Sequence, residues 1–173
     1  ENKRLHDLMV SGYRGVTWTD HEGTTHNPTI RLISHEPSDN DWLAVHQVRL
    51  QDREHRRRLD VVCYLNGLPV IIIELKQAGA AQADLAAAHA QLGTYLREFG
   101  MAFRACALTL ISDGITAKYG TPFTPLNHYA PWNVDDDGAP LDIGQPLPDT
   151  TYDSGLEIAL FGLANPERLL QLL

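Results

Sequence analysis

The stretch from Leu59 to Lys76 constrains this chain most: an apolar strand opened by Asp60, a turn at Asn66-Gly67, and a second apolar strand closing in Glu74-Leu75-Lys76. Charged side chains at the ends of Val/Ile-rich strands are costly to desolvate, so two acids and an ammonium gathered there require a reason. A divalent cation supplies one. Two carboxylates offer Mg²⁺ the oxygen ligands it prefers, and a neighbouring ammonium can orient an attacking water or help deprotonate it. Such a set suits hydrolysis of a phosphodiester.

Strand parity limits the hairpin. Asp60, Val62 and Tyr64 share one face, and Ile72, Glu74 and Lys76 share another. A plain two-residue turn at Asn66-Gly67 would set Asp60 opposite Ile73 and send the two acids to opposite sides of the sheet, where no single cation can join them. A shared ion therefore requires a three-residue loop over Asn66 to Leu68, or a bulge close to Asp60.

The same residues carry a family resemblance. Asp60, thirteen intervening residues and Glu74-x-Lys76 resemble the PD-(D/E)xK nucleases. Arg58-Leu59-Asp60-Val61-Val62, Asn66-Gly67-Leu68-Pro69 and Ile73-Glu74-Leu75-Lys76 resemble the N-terminal cleavage domain of type I restriction enzyme motor subunits. Gln91-x-x-x-Tyr95, Ile111-Ser112-Asp113-Gly114, Pro131-Trp132 and Asn165-Pro166-Glu167-Arg168-Leu169-Leu170 extend it over nearly the whole chain. Leu59 stands where the family usually has proline, a residue that presets φ but ligates nothing.

The resemblance implies an α/β, restriction-endonuclease-like fold, with a mixed, mostly antiparallel sheet flanked by helices. It implies Mg²⁺ held by Asp60, Glu74 and the Leu75 carbonyl, with Lys76 acting on the attacking water and Gln91 and Tyr95 assisting. The expected reaction is in-line hydrolysis of double-stranded DNA to 5′-phosphate and 3′-hydroxyl ends. The expected partners are the methyltransferase and specificity subunits of a type I complex. ATP would serve only a motor outside this chain, because no stretch reads Gly-x-x-x-x-Gly-Lys-Ser/Thr. The rival reading is a non-catalytic DNA or subunit docking module on the same fold.

The 173 residues suit a single domain, residues 1–173, with 13–33 and 121–149 as elaborations, and the abrupt ends suggest a fragment. Cys63 and Cys106 sit inside apolar runs, as buried thiols of a reducing compartment do. No signal-peptide pattern or run of transmembrane length appears, which points to a cytoplasmic protein.

Net charge is -8, poor for a surface that wraps DNA. The charge is uneven: residues 1–120 hold 13 Lys and Arg against 14 acids, residues 121–173 one against 8. Arg49, Arg53, Arg56, Arg57 and Arg58 crowd the approach to Asp60, with Arg53, Arg56, Arg57 and Arg58 the candidate DNA contacts and a solvated loop from Gln51 to Arg58 the alternative.

In chain order, Leu5, Leu8 and Met9 predict a helix stopped by Gly12, whose Glu1, His6 or Asp7 offers an extra acid or base for such a site or an ordinary exposed face. Tyr13–Thr19 and Thr24–Ile33 read as short strands, with His21 and His26 lacking zinc-motif partners. Trp42 to Leu50 is a strand with Trp42, Ala44, His46, Val48 and Leu50 on one face. The firmest helix spans Ala80 to Phe99, with Gln91 and Tyr95 one turn apart. Phe103 to Ser112 is a central strand. Thr121 to Asp149 is an irregular excursion, its Asp135-Asp136-Asp137 run a solvated turn rather than a calcium loop. Leu156 to Leu160 reads as an edge strand, and Asn165-Pro166 opens a last helix.

Overall fold

Apolar strands alternating with short amphipathic helices bury both faces of one sheet. The computed structural model describes residues 2–76, 83–145 and 150–173. Its elements are α1 (Asn2–Ser11), β1 (Trp18–Thr19), β2 (Thr25–His26), β3 (Trp42–Gln51), β4 (Arg56–Leu65), β5 (Leu68–Leu75), α2 (Ala83–Glu98), β6 (Leu108–Ser112), β7 (Ala117–Gly120), α3 (Gly155–Leu163) and α4 (Pro166–Leu172). The five-stranded sheet runs β3-β4-β5-β6-β7, antiparallel except for the β5–β6 pair. Parallel strands need a crossover, and α2 lies in the connection from β5 to β6.

The two faces have separate cores. On one, Val62, Ile72 and Ile111 pack with Ala88, Leu92 and Tyr95 of α2. On the other, Ile71, Ile73 and Leu110 pack with Met9 of α1, Ala159 and Leu163 of α3 and Leu169 of α4. β5 supplies Ile71 to one core and Ile72 to the other, so the strand bearing Glu74 is held from both sides.

The turn between β4 and β5 is the two-residue one, not a loop over Asn66 to Leu68: Leu65 pairs with Leu68, and Asn66 (φ +50°) and Gly67 (φ +81°) both take left-handed backbone. That is the turn whose twist matches a hairpin. Asn66 is also tied down from outside, its Oδ1 accepting from Asp41 N at 2.7 Å and its Nδ2 donating to Leu32 O at 2.8 Å. Parity is restored further on. Tyr64 pairs with Pro69 but Cys63 with Ile71, leaving Val70 as a bulge near the turn rather than beside Asp60. Pro69 has no N–H to give the ladder, and the Val70 carbonyl accepts from Ala107 instead. With Val61 opposite Ile73, the register carries Asp60 level with Glu74.

A second irregularity sits beside the first acid. Gln47, which the register sets level with Asp60 between the His46–Val61 and Val48–Leu59 pairs, has φ +58°. Both strands change face there without losing register. Trp42 packs in the core of α1 and α4, whereas Val48 and Leu50 pack in that of α2, so the expected single face from Trp42 to Leu50 is split. Leu59 and Val62, of opposite parity, share the α2 core.

Other departures have local causes. Tyr13–Thr19 and Thr24–Ile33 reduce to β1, β2 and a Tyr13–Ile30 bridge, where His26 stacks on Trp18 and binds Asp20 at 2.8 Å. The expected loop from Gln51 to Arg58 shrinks to residues 52–55, because Asp52 accepts from the N–H groups of Glu54 and His55 and turns the chain early. Leu156 to Leu160 is helix, not strand. Ser154 accepts from Glu157 N, and the Glu157 carboxylate accepts from Asp153 N, one residue before the cap, so that the two bonds together start α3. Asp135 closes its own turn, and Asp136 pairs with Arg168, which also donates to Phe161 O and Gly162 O at the end of α3. The first residues of the expected 80–99 helix, Ala80 to Gln82, and Pro146 to Asp149 of the excursion lie outside the described residues, as does Glu1.

Candidate active site

Asp60 enters from β4, Glu74 and Lys76 from the end of β5, and Gln91 and Tyr95 from the face of α2 turned to the sheet. Asp60 Oδ2 accepts from the Leu75 N–H at 2.9 Å, so the first acid is fixed by the backbone between the other two charged residues. Lys76 Nζ donates to Glu74 Oε1 at 2.8 Å and to Gln91 Oε1 at 2.6 Å. Gln91 Nε2 donates to the Tyr95 hydroxyl, which donates in turn to Arg58 O at 3.2 Å. The chain of bonds runs from carboxylate to lysine to amide to phenol and ends on β4, two residues before Asp60.

Burial is uneven along that chain. Glu74 is 1 % exposed, while the Lys76 side chain keeps 22 %. Desolvation above all, with the nearby charge of Asp60, raises the Glu74 carboxyl to about 7 against the opposing pull of Lys76. Glu74 Oε2 is buried with no hydrogen-bond partner among the described residues. A buried acceptor left open beside a second carboxylate fits a cation. No group of three or more His, Cys, Asp or Glu forms among the described residues, so the protein ligands available are the two carboxylates and backbone oxygens such as that of Leu75. Mg²⁺, which keeps several waters, suits so short a set.

The other candidates divide. Arg57 is not free: its Nη2 donates to Glu98 Oε1 at 2.7 Å and its Nε lies 2.7 Å from Oε2, fastening β4 to the last turn of α2. Arg53, Arg56 and Arg58 are exposed and make no ion pair among the described residues. His6 holds Leu173 O at 2.6 Å, and Asp7 is an exposed residue of a helix packed on the other face of the sheet, so neither joins the carboxylates. Glu98 was missed in the sequence; its signal was an acid one turn beyond Tyr95 on the same helix face. Arg57→Ala is expected to cost about 1 to 2 kcal/mol, because Glu98, 16 % exposed, loses its paired cation. Urea unfolding measures this, and an unchanged midpoint would show the pair to be idle.

A five-stranded mixed sheet presenting two carboxylates, a lysine and a glutamine–tyrosine pair at one strand end defines an α/β domain with a candidate acid-rich hydrolytic site. The family described as the type I restriction enzyme R protein N terminus matches residues 1–128, and the chain belongs to it. It is 31% identical over 171 residues to the type I restriction enzyme HindI endonuclease subunit of Haemophilus influenzae, across 98% of this chain and 16% of that protein. It is 26% identical over 184 residues to a Methanocaldococcus jannaschii protein provisionally named as the MjaIXP type I restriction enzyme endonuclease subunit, across 99% of this chain and 17% of that protein. The chain thus spans about a sixth of the length of these relatives. Among the described residues no helix is long and apolar enough to cross a membrane.

Proposed function

We propose that this chain is a Mg²⁺-dependent DNA endonuclease domain with a PD-(D/E)xK fold, serving a cytoplasmic type I restriction enzyme. The observation that carries the reading is the buried Glu74 carboxylate, its Oε2 unpartnered, beside Asp60 and bonded to Lys76. Leaving a carboxylate oxygen buried and open costs stability, and a docking module has no use for it. The relatives' names as endonuclease subunits add support.

Asp60, Glu74 and the Leu75 carbonyl would hold Mg²⁺. Bound there, the ion would supply the positive charge that offsets charge developing on the phosphoryl oxygens. The chain's own groups do the rest. Lys76 orients the attacking water and stabilises it as its proton leaves. Gln91 holds the ammonium in place through Oε1, and Tyr95 holds Gln91 while tying it to the Arg58 carbonyl. The bond from Leu75 N keeps one Asp60 oxygen engaged and leaves the other for the ion. The methyltransferase and specificity subunits, and a motor that consumes ATP, belong to the proposed whole enzyme.

Titrating Mg²⁺ into a supercoiled-plasmid nicking assay, with Lys76→Ala as control, tests this. Nicking should rise with Mg²⁺ in the wild type alone; metal-independent nicking, or equal nicking by Lys76→Ala, would sink the reading. The chain by itself is expected to bind duplex DNA weakly and with strong salt dependence, because a net charge of -8 opposes the duplex. Tight, salt-insensitive binding would contradict that.

A further inference from the structure

The basic run before Asp60 is divided by strand parity. β3 pairs with β4 so that Arg49 stands opposite Arg58, Leu50 opposite Arg57 and Gln51 opposite Arg56. Leu50 packs in the α2 core and Arg57 reaches Glu98 of α2, so this pair looks toward the carboxylate face. Arg49, Arg58, Gln51 and Arg56 therefore share the reverse face, and all four are exposed. At the strand ends they line, together with Leu50 and Arg57, a groove of about 400 Å³ to which no residue of α2 contributes.

Arg56 and Arg58 lie two residues apart, about 6.8 Å along the strand, with Arg49 directly across from Arg58. Like charges in that arrangement destabilise a hairpin. None of the three has an ion pair among the described residues, although the chain carries 22 acids. Of the acids in the adjoining loop, Asp52 is occupied by two backbone N–H groups and Glu54 is exposed. The one apolar side chain of the groove, Leu50, is half-buried and packed against the α2 core, which leaves no free aromatic or aliphatic anchor of the kind protein interfaces use. Three unneutralised guanidiniums beside an amide match a ligand with regularly spaced, singly charged oxygens, which guanidinium forks grip in pairs.

We propose that Arg49, Arg56 and Arg58 bind the phosphodiester backbone of double-stranded DNA on the face of the sheet away from Asp60 and Glu74. The inference rests on the nuclease reading for its choice of ligand. A duplex gripped here is not at its scissile phosphate, because the sheet stands between. The strip holds a second tract of DNA and sets affinity, while Arg57 positions α2 and contacts no phosphate.

The test is fluorescence anisotropy of a labelled 30-base-pair duplex in EDTA, across a salt series, with four proteins: wild type, the Arg49→Gln/Arg56→Gln/Arg58→Gln triple variant, Asp60→Ala, and Arg14→Gln as a surface control. The triple variant should lose at least about tenfold in affinity at 50 mM salt, and its plot of log K against log salt should flatten by about 2.7, near 0.9 per lost phosphate contact. Asp60→Ala and Arg14→Gln should keep the wild-type slope. The substituted side chains are exposed and mutually repelling, so the melting temperature of the triple variant should be unchanged or higher. A wild-type affinity and slope in the triple variant would overturn the proposal and leave the strip to an acidic protein surface. A slope that falls equally in Asp60→Ala would overturn it too, by merging the strip with the carboxylate site. Neither outcome touches the Mg²⁺ titration, which stands or falls on cleavage alone.

Discussion

Asp60→Ala, Glu74→Ala and Lys76→Ala are each expected to abolish DNA cleavage by the assembled enzyme while leaving this domain folded. The two acids contribute the charge that would hold the ion, and no neighbouring carboxylate stands ready to replace either, since no larger acidic or histidine cluster forms among the described residues. In the proposed reaction Lys76 would act on the water, a role whose loss costs roughly 10²- to 10⁴-fold. Folding should survive for three different reasons. Lys76 is partly exposed and fills no core volume. Glu74→Ala leaves a small void but removes a buried charge. Asp60→Ala frees one backbone N–H, that of Leu75, at a cost of about 1 to 3 kcal/mol. Gln91→Ala should fall between wild type and these three, because it loosens Lys76 without removing it. Cleavage assays alongside thermal melts decide the matter: an unfolded variant, or full activity in any of the three, would refute the assignment.

The parts of the fold legible in the sequence are those where local pattern and tertiary context agree. The β4–β5 hairpin and the helix from Ala83 follow from periodicity and a stop signal, whereas the strand expected from Phe103 begins only at Leu108, because Gly100–Phe103 is a 3-10 turn whose Phe103 packs in the α2 core. Their arrangement as a mixed sheet with α2 in the crossover follows from the order of elements. Leu156 to Leu160 was misread because a short apolar run fits strand or helix equally. The Ser154-x-x-Glu157 capping box was the deciding signal, and it lay just outside the run. β7 went unnoticed because Ala117–Gly120 has neither length nor alternation; it exists by pairing with β6.

Asp60, Glu74, Lys76, Gln91 and Tyr95 of the candidate site could be named from the sequence, and the structure brings them together, but their geometry was less legible. Parity alone demanded an irregularity between Asp60 and Glu74. Its position could not be read, because a bulge is fixed by which ladder bonds fail. Here Pro69 removes a donor and Val70 turns its carbonyl to Ala107. The φ of Gln47 had no sequence signal at all, since glutamine rarely adopts left-handed backbone. That residue nonetheless decides which arginines face α2 and which face away. A segment expected as a basic loop is thus, from Arg56 on, a strand whose alternate side chains face opposite ways.

Glu74→Gln should stabilise the metal-free protein at alkaline pH while removing its cleavage. In the unfolded chain this carboxyl titrates near the ordinary glutamate value of 4.5, and in the folded protein burial raises it to about 7. The folded state therefore binds the proton more tightly. Its contribution to stability is fully present below pH 4.5, is lost as pH rises from 4.5 through 7, and stays lost above. The gap of 2.5 units corresponds to about 3 kcal/mol, at 1.36 kcal/mol per unit. Glutamine keeps the shape and never ionises. At pH 8 in EDTA the variant should be the more stable by about 3 kcal/mol, or roughly 6 to 12 °C in melting temperature for a domain of this size. At pH 4 the two proteins should melt together. Adding Mg²⁺ at pH 8 should raise the wild type toward the variant and leave the variant where it was, because only the carboxylate gains a cation. Paired melts at pH 4 and pH 8, with and without Mg²⁺, measure all of this. A variant less stable than wild type at pH 8 in EDTA would mean that Glu74 is held by its bond to Lys76 more strongly than burial penalises it, and the open oxygen would then have no bearing on an ion.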